Sequence, residues 1–125
     1  MREAVSGYRR LTLPGELTRA RVALAAAEIE ARLPGSADQV PSELRELFAW
    51  TVREGVTNVI RHSGARSCEV VLTPTSAEVR DDGAGPAPSP TPGSGLAGLR
   101  ERAAIVGATV VTRTLDPGFS LEVRG

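Results

Sequence analysis

Lysine is absent from this chain: all 15 basic residues are arginine. That removes the lysine of a Walker A phosphate loop and any Schiff-base enzyme, since both chemistries need the primary amine. There is one cysteine, Cys68, so no disulfide forms within the chain, and the usage is that of a reducing, cytoplasmic compartment. One histidine and one cysteine do not assemble a zinc site of the usual kind. Aromatic residues make up only 3% of the chain, so the core has to be built from Leu, Val, Ile and Ala. No apolar run approaches the roughly 20 residues of a membrane span, and no signal peptide is visible. There is also no excess charge of either sign. Fifteen acidic residues balance the arginines, which argues against a nucleic-acid surface, because such a surface displaces counterions with a basic excess.

What remains is 125 residues, 41% hydrophobic, enough for one domain around one core. Residues 16–27 place Leu17, Ala20, Leu24 and Ala27 at helical spacing after Pro14-Gly15. Residues 28–33 alternate Ile29, Ala31 and Leu33 with charged neighbours, as a half-buried strand does. A long helix is expected over 43–62, with Leu44, Leu47, Phe48, Val52, Val56, Val59 and Ile60 on one broad face and Gly64 past its end. Strands follow at 67–73 and 76–81. Pro86 to Ser94 holds four of the nine prolines and is irregular, with few groups to pack, so mobility is expected there without a ligand. Leu96, Leu99, Ala103 and Val106 mark a last helix closed by Gly107, and strands at 108–114 and 119–124 turn at Asp116-Pro117-Gly118. Hairpins dominate this order, so the expected fold is α+β: two layers, a mostly antiparallel mixed sheet with helices on one face.

Three places break the core-and-surface pattern. Glu54, Asn58 and His62 recur every fourth residue and line up along the edge of the apolar stripe of the long helix. A carboxylate one turn from a carboxamide offers two oxygen donors, suited to Mg²⁺, which prefers oxygens and keeps several waters; the plainer reading is two boundary residues. In Asp81-Asp82-Gly83-Ala84-Gly85 the strand alternation aims Asp81 the same way as Ala77 and Val79. A buried carboxylate needs a partner, and an adenine amino group is one; Gly83 and Gly85 allow close backbone approach. An ordinary Asp-Gly turn accounts for Asp82 and Gly83 but not for an inward Asp81. Third, Gly93-Ser94-Gly95-Leu96-Ala97-Gly98 opens the last helix, whose free N–H groups and dipole favour phosphate. It follows a proline-rich loop and not a strand, which speaks against a Rossmann unit.

Taken together and in this order, REGVTNVIRHSGA (53–65), DDGAG (81–85) and GSGLAGLRER (93–102) resemble the N, G1 and G2 boxes of the GHKL ATPase superfamily. The short segment between the second and third boxes and the ending GLRERA are similar to the NarL/DesK-type branch of bacterial sensor histidine kinases. The resemblance implies the Bergerat fold, with residues 1–10 as the end of the dimerisation-helix linker and 11–125 as the ATP-binding catalytic domain. It implies ATP and Mg²⁺ as ligands. Asn58 would ligate the metal, Glu54 would act catalytically beside it, and Asp81 would accept from the adenine amino group. Gly83 and Gly85 would shape the pocket floor, Gly93, Gly95, Leu96 and Gly98 would meet the phosphates, and His62 would pack beside the pocket or touch phosphate. Arg100 and Arg102 would either neutralise phosphate charge or remain solvated. The implied function is transfer of the γ-phosphate to a histidine on the dimerisation domain in two-component signalling. Partners would be that domain and a response regulator, with no nucleic acid or membrane contact by this segment, and the 125 residues alone would be monomeric and unable to autophosphorylate. Any membrane tether would lie upstream of a cytoplasmic domain. The alternatives are an anti-sigma-type serine kinase of the same superfamily and a degenerate nucleotide-binding interaction domain. Two departures stand out: Ser94 occupies a position where branch members often have His, and Gly118-Phe119-Ser120 replaces a Gly-Thr pair before the final strand. The alternation of Phe119, Leu121 and Val123 predicts Phe119 to be core.

Overall fold

The computed structural model describes residues 10–85 and 94–125. Residues 1–9 of the proposed linker at 1–10, and residues 86–93 of the irregular segment at 86–94, Gly93 among them, lie outside the described residues. The first helix, α1, spans Leu13–Ala26. It starts before the Ala/Leu pattern predicts, because Pro14-Gly15 forms its first turn instead of preceding it. Thr12 caps it by accepting the Gly15 N–H at 3.2 Å, and proline in a first turn gives up no helical hydrogen bond. Leu13, Leu17, Ala20 and Leu24 are buried, while Ala27 falls past the end and is exposed. A short strand β1 follows, Glu30–Arg32, with Ile29 buried just ahead of it.

Helix α2, Ser42–Asn58, buries Leu47, Phe48, Val52 and Val56 at helical spacing. It then widens into a π turn, Val59–Ser63, closed by Gly64 at φ 64°. Strands β2 (Ser67–Leu72) and β3 (Ser76–Asp81) form a hairpin. Helix α3, Gly95–Ile105, buries Leu96, Leu99 and Ala103, and leaves Val106 half exposed past its end. Strands β4 (Thr109–Leu115) and β5 (Gly118–Arg124) complete the chain.

The five strands form one mixed sheet in the order β1-β2-β3-β5-β4, with β1 and β2 parallel and the other pairs antiparallel. Cross-strand partners share a face. Val70 opposite Val79, Ala77 opposite Val123 and Val79 opposite Leu121 build the inner face, against which α2 and α3 pack. The other face carries Glu78, Arg80 and Arg113, with an Arg113–Glu78 ion pair at 3.1 Å. The fold is therefore the two-layer α+β arrangement that the sequence predicts.

The register sets up everything that follows. Asp81 ends β3 on the inner face, opposite Cys68 on one side and Phe119 on the other. Gly55 brings α2 down onto that face, because a Cβ at this position would run into the side chain of Val79. Close helix–sheet contact at Gly55 sets α2 so that Asn58 reaches the cleft that Asp81 lines, while Glu54, one turn earlier, faces the start of α3.

Candidate functional site

Asp81 is 9% exposed. One carboxylate oxygen accepts the Gly83 N–H at 2.8 Å, and no other described residue donates to the carboxylate. Burial raises its pKa, the Gly83 hydrogen bond lowers it, and the neighbouring Asp82 raises it; the net direction is upward. Asp82 points the other way and has a structural task. Its carboxylate accepts from the Arg66 and Ser67 N–H groups at 2.9 and 3.0 Å and pairs with the Ser67 hydroxyl at 3.0 Å, which holds its pKa down. One aspartate is thus spent on bracing the start of β2, and its neighbour keeps an unused oxygen over the cleft.

That cleft is lined by Asn58, His62, Asp81, Gly85, Phe119 and Leu121 among others. Its volume of about 20 Å³ is room for about one water. Phe119 is half-buried and lies along the wall as well as against the core, so the simple core assignment from its alternation is incomplete. Ser120 is fully buried on the opposite face, where its hydroxyl donates to Glu78. It takes no part in the cleft.

The amide nitrogen of Asn58 is buried with no hydrogen-bond partner among the described residues. A half-turn of the carboxamide presents oxygen or nitrogen at that point, and an unpaired buried polar atom costs free energy unless a ligand takes it up. Glu54, one turn earlier and half-buried, faces the start of α3, where a Cβ at Gly95 would collide with its carboxylate. Glu54 and Asn58 supply oxygen donors of the kind a hydrated Mg²⁺ would take, the metal keeping several waters. The described residues contain no group of three or more His, Cys, Asp and Glu side chains placed to hold a metal ion, so a metal here would need ligands from elsewhere, such as water or phosphate.

Ser94 is the N-cap of α3, accepting from the Ala97 N–H at 3.1 Å. The N–H groups of Gly95 and Leu96 have no partner among the described residues, and an N-terminus of this kind attracts anions. Gly98 is less demanding, since a Cβ there meets nothing within 4 Å. Gly83 and Gly85 press against the π turn: a Cβ on either would strike a backbone carbonyl, that of Ser63 or of His62 respectively, and the Gly85 N–H donates to the Ser63 carbonyl at 2.9 Å.

The π turn alters one expectation. His62 is exposed, and because a π turn advances less per residue than an α-helix, it lags behind the line through Glu54 and Asn58 that an unbroken helix predicts. It reaches the rim of the cleft beside Asp81. Arg100 is exposed. Arg102 lies over the indole of Trp50, its guanidinium carbon 3.8 Å from the ring centroid. Trp50, the π turn and Gly55 are the features that sequence reasoning missed. The four-residue spacing of Trp50 to Glu54 was the one available signal, hidden because a tryptophan next to an apolar stripe reads as core.

No protein-family model matches the chain. Two curated proteins of Bacillus subtilis (strain 168) are similar in sequence. The sensor histidine kinase YvfT is 31% identical over 112 residues, 85% of this chain and 30% of its own length. The sensor histidine kinase LnrJ is 34% identical over 88 residues, 66% of this chain and 22% of its own length. The chain therefore spans less than a third of either relative. Among solved structures, the cytoplasmic segment of histidine kinase QseC superposes with a TM-score of 0.62 at 22% identity, covering 93% of this chain and 76% of that one. The catalytic domain of histidine kinase ThkA gives 0.61 at 18% identity over 92% and 93%, and full-length ShkA in complex with AMPPNP gives 0.63 at 17% over 92% and 30%. At these identities the structures speak for a shared fold.

Proposed function

We propose that this chain, which belongs to the sensor histidine kinases, is a domain of the GHKL ATPase type that binds Mg²⁺-ATP and presents the γ-phosphate to a histidine on a separate dimerisation domain. The observation that carries the reading is the buried Asp81 carboxylate, which keeps an unpaired oxygen over the cleft that Asn58 also lines. In this reading Asp81 accepts from the adenine amino group, while Phe119 and Leu121 flank the base. The orphaned amide of Asn58 turns its oxygen to the metal. Glu54 orients a metal-bound water or assists proton movement near the acceptor. The Gly95 and Leu96 N–H groups at the start of α3 receive phosphate oxygens. Mg²⁺, when bound, supplies charge neutralisation to the phosphates. The NarL/DesK-type branch, the response regulator as downstream partner and a cytoplasmic setting belong to the same proposal; no helix among the described residues is long and apolar enough to cross a membrane.

Calorimetric titration with ATP and ADP, each with magnesium and with EDTA, tests this. The expected result is binding of both nucleotides, tighter for ATP when magnesium is present. Absence of nucleotide binding under both conditions overturns the proposal and favours a domain that keeps the fold without the chemistry.

A further inference from the structure

Two of the contacts between α3 and α2 bear on the site. At the N-terminus of α3, Gly95 lies against the Glu54 carboxylate. Two turns later, Arg102 stacks on Trp50, which stands one turn before Glu54 and two before Asn58 on α2. The two helices therefore run in opposite directions across this contact. Residues 95 and 102 are about 10 Å apart along α3, and 50 and 54 about 6 Å apart along α2, at 1.5 Å per residue. Helical side chains lean toward the N-terminus, so the long arginine reaches back and spans the difference. Arg53 lies near the same ring, 5.9 Å from its centroid. The indole N–H is buried and has no partner among the described residues, so hydrogen bonding to them does not hold the ring in place. Packing and the Arg102 cation do.

We propose that Trp50 and Arg102 form a clamp that sets the height of the α3 N-terminus over Glu54 and Asn58, and so tunes the affinity for the polyphosphate of a nucleotide without touching it. This rests on the nucleotide reading above. Arg102 acts through the indole, as a positioning residue, and not by neutralising phosphate directly. Leu96, Leu99 and Ala103 are buried on α3, which packs on both α2 and β4. The clamp adds a polar restraint at the far end of the contact with α2, which limits slide and tilt of α3 along α2. A base seated at Asp81 does not depend on α3, so the clamp acts on phosphates alone.

Trp50 is the only tryptophan, so its emission reports on the clamp directly. Mg²⁺-ATP is expected to shift the emission of the unsubstituted chain, and adenosine is not. By calorimetry, Arg102→Gln and Trp50→Leu are expected to weaken Mg²⁺-ATP about two- to fivefold, the range of an exposed cation–π contact. Both are expected to leave adenosine binding unchanged. Arg102→Lys and Trp50→Phe, which keep a cation and a ring, are expected to restore most of the ATP affinity. If the unsubstituted chain binds no Mg²⁺-ATP, the nucleotide reading falls and the clamp with it. If it binds but Arg102→Gln binds equally well, the clamp alone is overturned. Equal losses for ATP and adenosine, or an emission blind to Mg²⁺-ATP, also overturn it, since a merely structural contact behaves that way. The emission arm needs no variant, so misfolding of Trp50→Leu does not remove the test.

Discussion

Asp81 is held where its charged form is poorly solvated, and that has a consequence for stability separate from ligand binding. Burial raises its pKa above the ordinary carboxylate value. Between the unfolded value of about 3.9 and the raised folded value, the folded chain holds more protons than the unfolded one, so this residue's contribution to stability falls as pH rises through that window. At neutral pH the ionised carboxylate is a net cost. Asp81→Asn removes the charge and keeps an acceptor for the Gly83 N–H. The apo variant is expected to melt at or above the parent's temperature at pH 7, the difference shrinking toward pH 3.5. Its affinity for ATP and ADP is expected to fall about ten- to a hundredfold, the loss of one charge-assisted hydrogen bond. Thermal melts at both pH values and calorimetry check the two halves. Across the hairpin, burial pushes the Cys68 thiol up to about 12, so at pH 8 a thiol reagent is expected to react only after denaturation. At this scale the inward turn of Asp81 was legible from alternation along β3. The stacking of Arg102 was not, because an arginine two turns into a helix carries no local sign of what its side chain meets.

The elements show where periodicity stops being a guide. The apolar stripe of the long helix continues in the sequence through Val59 and Ile60, and a helix is expected to residue 62, yet the α-helix ends at Asn58 and Ile60 is 38% exposed. The π turn has no one-residue signature. It is stabilised by a tertiary contact, the Ser63 carbonyl accepting the Gly85 N–H, and by a local bond from the Ser63 hydroxyl to the Val59 carbonyl at 2.7 Å. The box glycines Gly85 and Gly95 therefore differ in what they tolerate. Gly85→Ala forces a Cβ into a backbone carbonyl that is itself fixed by the turn, and is expected to destabilise the fold by about 1–3 kcal/mol. Gly95→Ala meets only the end of the flexible Glu54 side chain, while alanine is favoured in a helix by up to about 1 kcal/mol. Its stability is expected to be unchanged or slightly higher. Its Mg²⁺-ATP binding is expected to weaken, because Glu54 has been moved and the N–H groups of α3 no longer close on the phosphates. Denaturant melts together with calorimetry on the two variants separate these outcomes; loss of stability in both would return Gly95 to a purely structural role.

For the whole molecule, the α+β class follows from the order of hairpins, but the sheet order is set by long-range pairing. β5 inserts between β3 and β4 and carries Phe119 to the side of Asp81, and no local signal announces that neighbour. The same topology lays out the site along one line: Asp81, Phe119 and His62 at one end, Asn58 between, Glu54 and the α3 N-terminus at the other. If the base occupies the first end and the phosphates the second, the only histidine of the chain stands at the base end, away from the terminal phosphate. Transfer to His62 within one molecule would require the nucleotide to reverse. Mg²⁺-ATP is therefore expected to bind and protect these 125 residues without modifying them. At a hundred times the dissociation constant, binding adds about 2.7 kcal/mol, which raises the melting temperature by several degrees or more for a domain of this size. Incubation with γ-labelled ATP is expected to leave no acid-labile phosphate on the chain. Label appears on a separately supplied dimerisation domain if the proposed function holds. A melting shift with no self-labelling fits a nucleotide-presenting domain; stoichiometric phosphate on His62 would show that the base and phosphate ends have been assigned the wrong way round.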